Sequence, residues 1–123
     1  MAGSCLSREK RKGLKFVGRA LIDLKALDPV VKQRIGRELL LVQAGGKPET
    51  KPRNDLGSGV FQLNVCNESG QNIGRCFYVV KFRDDLYVLH SFIKKARNTP
   101  LKEEKKITTR YKQLLGDLQK EKG

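Results

Sequence analysis

The run Tyr87-Val-Leu-His-Ser-Phe-Ile-Lys-Lys-Ala-Arg-Asn-Thr-Pro100 holds the only histidine of the chain, inside an apolar stretch that breaks into clustered cations. Successive strand residues face opposite sides, so His90, Phe92 and Lys94 are expected to share one face and Leu89, Ser91 and Ile93 the other. An imidazole moves protons near neutrality, an aromatic ring stacks on a base, and an ammonium holds a phosphate. Those three side chains in a row suit a surface that handles RNA. The plainer reading is a histidine that packs and hydrogen-bonds. No second histidine and no carboxylate cluster accompanies it, so neither a metal nor any other cofactor is expected.

Arg75 is the second candidate. It follows Gly74 and opens a mostly apolar strand. An arginine there can grip a phosphate through two parallel hydrogen bonds and stabilise charge that develops during attack at phosphorus. The plainer reading is a strand-edge arginine in solvent or in an ion pair. Lys94, Lys95, Arg97, Lys102, Lys105 and Lys106 form the densest basic stretch, partly offset by Glu103 and Glu104. Positive charge at a helix N-terminus opposes the helix dipole, which argues for a use such as phosphate contact. Gly57-Ser-Gly59 has no helix behind it and reads as a strand-entry turn, not a nucleotide-binding loop. Asp84-Asp85 is ordinary turn chemistry, and no Ser/His/Asp or Cys/His arrangement can be placed.

The elements that must position these residues follow from periodicity. Residues 1–13 are polar and basic and read as a disordered arm; 14–120 read as one domain. Leu14 to Val17 suits a short strand, and Arg19 to Leu27 a helix with Ala20, Leu21, Leu24 and Leu27 on one face. Asp28-Pro29 caps a second helix striped by Val31, Ile35, Leu39 and Val42, which Gly45-Gly46 stops. Residues 47–58 read as loop. Strands are expected over Val60–Val65, Arg75–Phe82 and Leu86–Ile93, joined by turns at Glu68–Asn72 and Asp84-Asp85. A helix from Pro100 to Lys120, capped by Thr99, presents Ile107, Tyr111, Leu114, Leu115 and Leu118. The fold class is α+β: N-terminal helices on one face of an antiparallel meander, then a C-terminal helix, with the other face open for function.

Composition narrows the partners. The 123 residues carry 26 basic and 13 acidic side chains, a net charge of +13. Such a surplus on a small domain favours nucleic acid, an anionic membrane or an acidic protein. Membrane is the weakest of these, since no apolar run nears the roughly 20 residues of a spanning helix and the first residues lack a signal-peptide core. Cys5, Cys66 and Cys76 lack zinc-ligand spacing and leave an odd thiol under any pairing, as expected of reduced packing thiols in a cytoplasmic protein.

Read in order, Asp55-Leu-Gly-Ser-Gly-Val-Phe-Gln-Leu-Asn64, Gly74-Arg-Cys-Phe-Tyr-Val-Val80, Tyr87-Val-Leu-His-Ser-Phe-Ile-Lys-Lys95 and Thr99-Pro100 resemble the phage-derived, HigB-like branch of the RelE/ParE toxin superfamily. Phe16-Val17-Gly18, Asp23-Leu24 and Gly36, Leu39 and Gln43-Ala-Gly45 fit the same family, so the resemblance spans Leu14 to Leu118. It implies a RelE-like fold and the toxin of a type II toxin–antitoxin pair. Such a toxin acts as an mRNA endoribonuclease in the ribosomal A site and is held inactive, as a hetero-oligomer, by a helix-turn-helix antitoxin. By resemblance Arg75 meets the scissile phosphate. His90 and Lys94 are the other catalytic candidates, and Phe92, Lys95 and Arg97 bind substrate. The family usually carries Glu-x-Arg on the preceding strand; here those positions are Gln62 and Asn64, assigned to substrate binding. Three outcomes stay open: the remaining cations suffice, activity is reduced, or the protein binds RNA or ribosome without cleaving. A ParE-like action on DNA gyrase is the further alternative.

Overall fold

The computed structural model describes residues 13–46, 50–80, 85–94 and 100–122. The element order is β1 (Leu14–Phe16), α1 (Ala20–Lys25), α2 (Pro29–Gln43), β2 (Thr50–Pro52), β3 (Val60–Cys66), β4 (Asn72–Val79), β5 (Leu86–Ile93) and α3 (Leu101–Lys122). The strands form one five-stranded sheet in the order β1-β5-β4-β3-β2. β2 to β5 pair antiparallel, as a meander should, and β1 adds a parallel edge to β5.

α2 forms for the expected reasons. The Asp28 carboxylate accepts from the Val30 N–H at 3.2 Å, and Pro29 occupies the first turn, where its missing N–H costs nothing. Val31, Ile35, Leu39 and Val42 are all buried. They pack with Ala20 and Leu24 of α1 against Leu63, Val65, Cys76, Tyr78, Leu86 and Val88. The turn between β3 and β4 is built by Asn67, whose Oδ1 accepts from Ser69 N, Gln71 N and Ser69 Oγ, with Gly70 at φ 84°. That closure starts β4 at Asn72, earlier than the expected Arg75, and β4 ends at Val79. β2 lies within the stretch expected to be loop. It is too short to show a period, and its Pro52 is tolerated because β2 is an edge strand.

The expectation of an open second face is corrected. Ile107, Tyr111, Leu114 and Leu118 of α3 bury against Val60, Phe77, Val79, Leu89 and Phe92, so helices cover both faces of the sheet. Four apolar side chains on one stripe must be buried somewhere, and the sheet face away from α2 is the apolar surface that receives them. Gly57 permits this close seat: a Cβ there would stand 2.8 Å from the Tyr111 ring, while the Tyr111 hydroxyl donates to Ser58 O at 2.8 Å. Leu115 is 40 % exposed and lies off the buried stripe.

One facing is also corrected. Phe77 pairs with His90 but Tyr78 pairs with Val88, so Leu89 is a bulged residue with no partner on β4. A bulge shifts the strand by one residue. Leu89 therefore joins Phe92 under α3 instead of sharing a face with Ser91. Thr99, Asp84, Cys5 and residues 1–12 lie outside the described residues. Cys66 is exposed and Cys76 buried, both free; burial pushes the Cys76 thiol up to about 12, against a hydrogen bond from Ser91.

Covering of the second face by α3 is directly measurable. Ile107→Ala removes a fully buried side chain and is expected to cost ~2–5 kcal/mol. Leu101→Ala, at 67 % exposure, should change stability by less than about 0.5 kcal/mol. Urea unfolding at matched m-values reads both, and equal midpoints would remove α3 from the sheet.

Candidate functional site

The sheet register brings most of the singled-out residues together. Asn64, Arg75 and Phe92 are Cα partners across β3, β4 and β5, and Gln62, Phe77 and His90 form the next row. All six side chains therefore share the α3 side of the sheet. Gln62, Arg75, His90 and Phe92 are buried, while Asn64 and Lys94 are half-buried. Lys95 and Arg97 lie outside the described residues. The Phe92 ring stands between its neighbours, 6.0 Å from Phe77 and 5.3 Å from His90 between centroids. Burial depresses the Arg75 pKa, and the nearby Arg53 charge adds to it. The two guanidinium charges sit close enough to repel, and the Asp55 and Glu104 carboxylates on Arg53 offset them.

Arg53 is the site residue that periodicity does not flag, because it stands in the loop after β2. Its Nη1 donates to Gln62 Oε1 at 2.8 Å, and its guanidinium carbon lies 5.8 Å from the Phe77 ring centroid. Nε and Nη2 fork onto the Asp55 carboxylate at 3.0 and 2.9 Å, and Nη2 also reaches Glu104 Oε2 at 2.7 Å. Hydrogen bonding to Asp55 chiefly, and then to Glu104, raises the Arg53 pKa against the effect of its burial. Gln62 then passes the order on, its Nε2 donating to Asn64 Oδ1 at 3.0 Å. A guanidinium thus enters the α3 side of the sheet from the β2–β3 loop. A pointer in the sequence was available: Arg53 and Asp55 are a short i, i+2 pair, of the kind that forks in a tight turn.

His90 occupies a different kind of place from the open strand face expected of it. It is 3 % exposed, and both ring nitrogens are engaged. Nδ1 faces Arg110 Nη1 at 3.1 Å and Nε2 faces Glu103 Oε1 at 3.0 Å. Arginine can only donate, so Nδ1 accepts and the proton resides on Nε2, donated to Glu103. Asp23 Oδ2 of α1 lies 3.4 Å from Nδ1 and pairs with Arg110 at 2.7 Å. Arg110 Nη1 also donates to Leu89 O at 3.0 Å, the carbonyl of the bulged residue. Burial lowers the His90 pKa, Glu103 and Asp23 oppose this, and the Arg110 charge reinforces it; the net direction is down. Burial raises Asp23 and Glu103, but Arg110 on the first and His90 on the second bring both below the ordinary carboxylate range.

These partners couple stability to pH and to charge. A histidine with a depressed folded pKa binds more protons when unfolded, so folding stability is full above the unfolded value near 6.5 and falls as pH drops below it. Asp23 and Glu103 add their own losses at lower pH, below the ordinary carboxylate values. Urea midpoints between pH 8 and 5 are expected to decline in the wild type and to stay flatter in His90→Gln; parallel curves would separate His90 from the effect. Arg53→Ala strips a partly buried carboxylate, Glu104, of its cation and is expected to cost ~1–3 kcal/mol in the same assay.

Among the described residues no group of histidine, cysteine and carboxylate side chains is arranged to hold a metal ion, and no helix is long and apolar enough to cross a membrane. No curated protein matches the chain. Residues 22–112, about three-quarters of the sequence, match the model of the family described as Phage derived protein Gp49-like (DUF891). That stretch runs from α1 through the sheet and into α3, so it contains both rows of site residues and the Arg110 contacts. The chain belongs to the phage-derived Gp49-like family.

Proposed function

We propose that this protein is the toxin of a type II toxin–antitoxin pair, acting in the cytoplasm as a ribosome-dependent mRNA endoribonuclease. One observation carries the reading: Asn64, Arg75 and Phe92 stand in one row, with a second guanidinium from Arg53 beside them, in a Gp49-like chain of net charge +13. A row of amide, guanidinium and ring suits a nucleotide, the arginine meeting phosphate and the ring a base once α3, which buries both, lifts from the sheet.

The reaction is attack by an RNA 2′-hydroxyl on the adjacent phosphorus. The P–O5′ bond breaks, leaving a 2′,3′-cyclic phosphate and a free 5′-hydroxyl. Arg75 stabilises the charge of the pentavalent transition state. Lys94 and Lys95 hold the backbone, and Gln62, Asn64 and Arg97 complete the binding of the strand. Orientation of the mRNA by the ribosome supplies much of the rate, so a weak proton acceptor suffices. His90, with Glu103 on Nε2 and Arg110 on Nδ1, is a positioning residue while α3 is seated. It takes part in proton transfer only when Glu103 releases Nε2. A helix-turn-helix antitoxin is the expected inhibitory partner.

A second reading, RNA or ribosome binding without cleavage, is favoured by Arg53 being committed to Asp55 and Glu104. Induction in bacteria is expected to arrest growth, and new mRNA 5′-hydroxyl ends should appear inside coding regions. Arg75→Ala should abolish both while the chain still unfolds cooperatively in urea, at a midpoint lowered by the loss of a buried side chain. Arrest with intact transcripts supports the binding reading, arrest with trapped gyrase–DNA complexes supports a ParE-like action, and equal toxicity of wild type and Arg75→Ala would sink the Arg75 assignment.

A further inference from the structure

The first turn of α3 brings two carboxylates onto the cations of the candidate site. Glu104 Oε2 lies 2.7 Å from Arg53 Nη2, and Glu103 Oε1 lies 3.0 Å from His90 Nε2. Arg53 holds Gln62 and stands over the Phe77 ring, so the two contacts fall at either end of the Gln62–Phe77–His90 row. The helix dipole favours acidic residues in a first turn but is indifferent to the direction in which they point. Here Glu103 and Glu104 turn inward and are half-buried, while Lys102, Lys105 and Lys106 stay exposed. Neither contact is needed to neutralise its partner. The Asp55 carboxylate already forks onto Arg53 at 3.0 and 2.9 Å, and His90 holds its one proton on Nε2 as a neutral ring. Lys106 also reaches Glu103 at 3.6 Å, so that carboxylate has a second cation at hand when it leaves the histidine.

We propose that Glu103 and Glu104 occupy the places of RNA backbone phosphates, so that the seated α3 is an autoinhibitory element and Arg53 and His90 bind phosphate in the open site; the inference rests on the RNA reading above. A carboxylate and a phosphate present the same thing to these donors, anionic oxygens for the Arg53 guanidinium and for the Nε2 proton. The same donors cannot hold both anions. RNA binding and the seating of α3 therefore oppose each other, each weakening the other by one common factor. A polyanion also attracts Lys102, Lys105 and Lys106 on the outer side of the same turn, which draws the helix off its seat while the donors beneath are contested. When the helix lifts, Arg75 and Phe92 are uncovered in the same motion.

The test measures binding of single-stranded RNA by the full chain, a readout independent of cleavage. A fluorescent RNA dodecamer is titrated against the parent protein, Glu103→Gln/Glu104→Gln, the same pair with Arg53→Gln, and Glu68→Gln/Asp117→Asn, which removes equal charge from exposed positions outside the site. The Glu103/Glu104 variant should bind about tenfold more tightly than the parent and the control pair less than about threefold, because distant exposed charges are screened. Adding Arg53→Gln should remove most of the gain. On the parent itself, RNA should speed hydrogen exchange of the α3 amides from Lys105 to Leu114 by about fivefold, the reverse of the protection that ordinary contact gives. That second measurement decides the matter even where urea midpoints show a variant to be unfolded. A gain no larger than the control's, exchange along α3 that RNA slows or leaves unchanged, or no RNA binding by any of the four proteins overturns the proposal. Tighter binding with no new 5′-hydroxyl ends in cells leaves the autoinhibited site standing and removes cleavage; no gain in a protein whose Arg75→Ala form loses cleavage removes the autoinhibition alone.

Discussion

The guanidinium of Arg110 is the contact on which the rest of the structure depends. It reaches from α3 to the Leu89 carbonyl, His90 Nδ1 and Asp23, and so ties the closing helix to β5 and to α1 at one point. The β5 bulge makes this possible, because a bulged residue turns its carbonyl away from the ladder. A buried carbonyl without a donor would cost ~1–3 kcal/mol. Arg110 removes that cost and at the same time fixes the tautomer of His90. Glu103 on the other ring nitrogen completes a chain of charge from Asp23 of α1 through Arg110 and His90 to Lys106 of α3.

The candidate site draws its second cation from outside the strands. Arg53 arrives from a loop, and Asp55 and Glu104 arrive with it, so the face gains a cation and two anions. Gln62 is the adaptor, and an amide suits that position, since its carbonyl accepts from Arg53 while its NH2 donates to Asn64.

Much of the architecture was legible because it follows from period and caps. The Val31–Ile35–Leu39–Val42 stripe, the Asp28 cap and the Leu86–Ile93 strand are local facts and stand as read. The bulge at Leu89 was not legible, since alternation assumes an unbroken pleat. Nor was the roof formed by α3: its stripe announces burial but does not say against which face. The rows that unite Asn64 with Arg75 and Phe92 depend on register, which is set by turn length at Asn67 and beyond the reach of spacing alone. Arg53 was hidden for a related reason, as its partners lie 9 and 51 residues away.

The position of α3 in the chain gives its seat on the sheet a temporal meaning. Phe77, Leu89 and Phe92 are sealed only by side chains that are synthesised after them. At ~5–20 residues per second, the sheet is complete for a second or more before Ile107 and Tyr111 have left the exit tunnel. In that interval the Arg75 row is uncovered and His90 has neither Glu103 nor Arg110. Until α3, the last helix of the chain, arrives, that apolar surface stands open to solvent, and the order of synthesis makes its sealing the final step of folding.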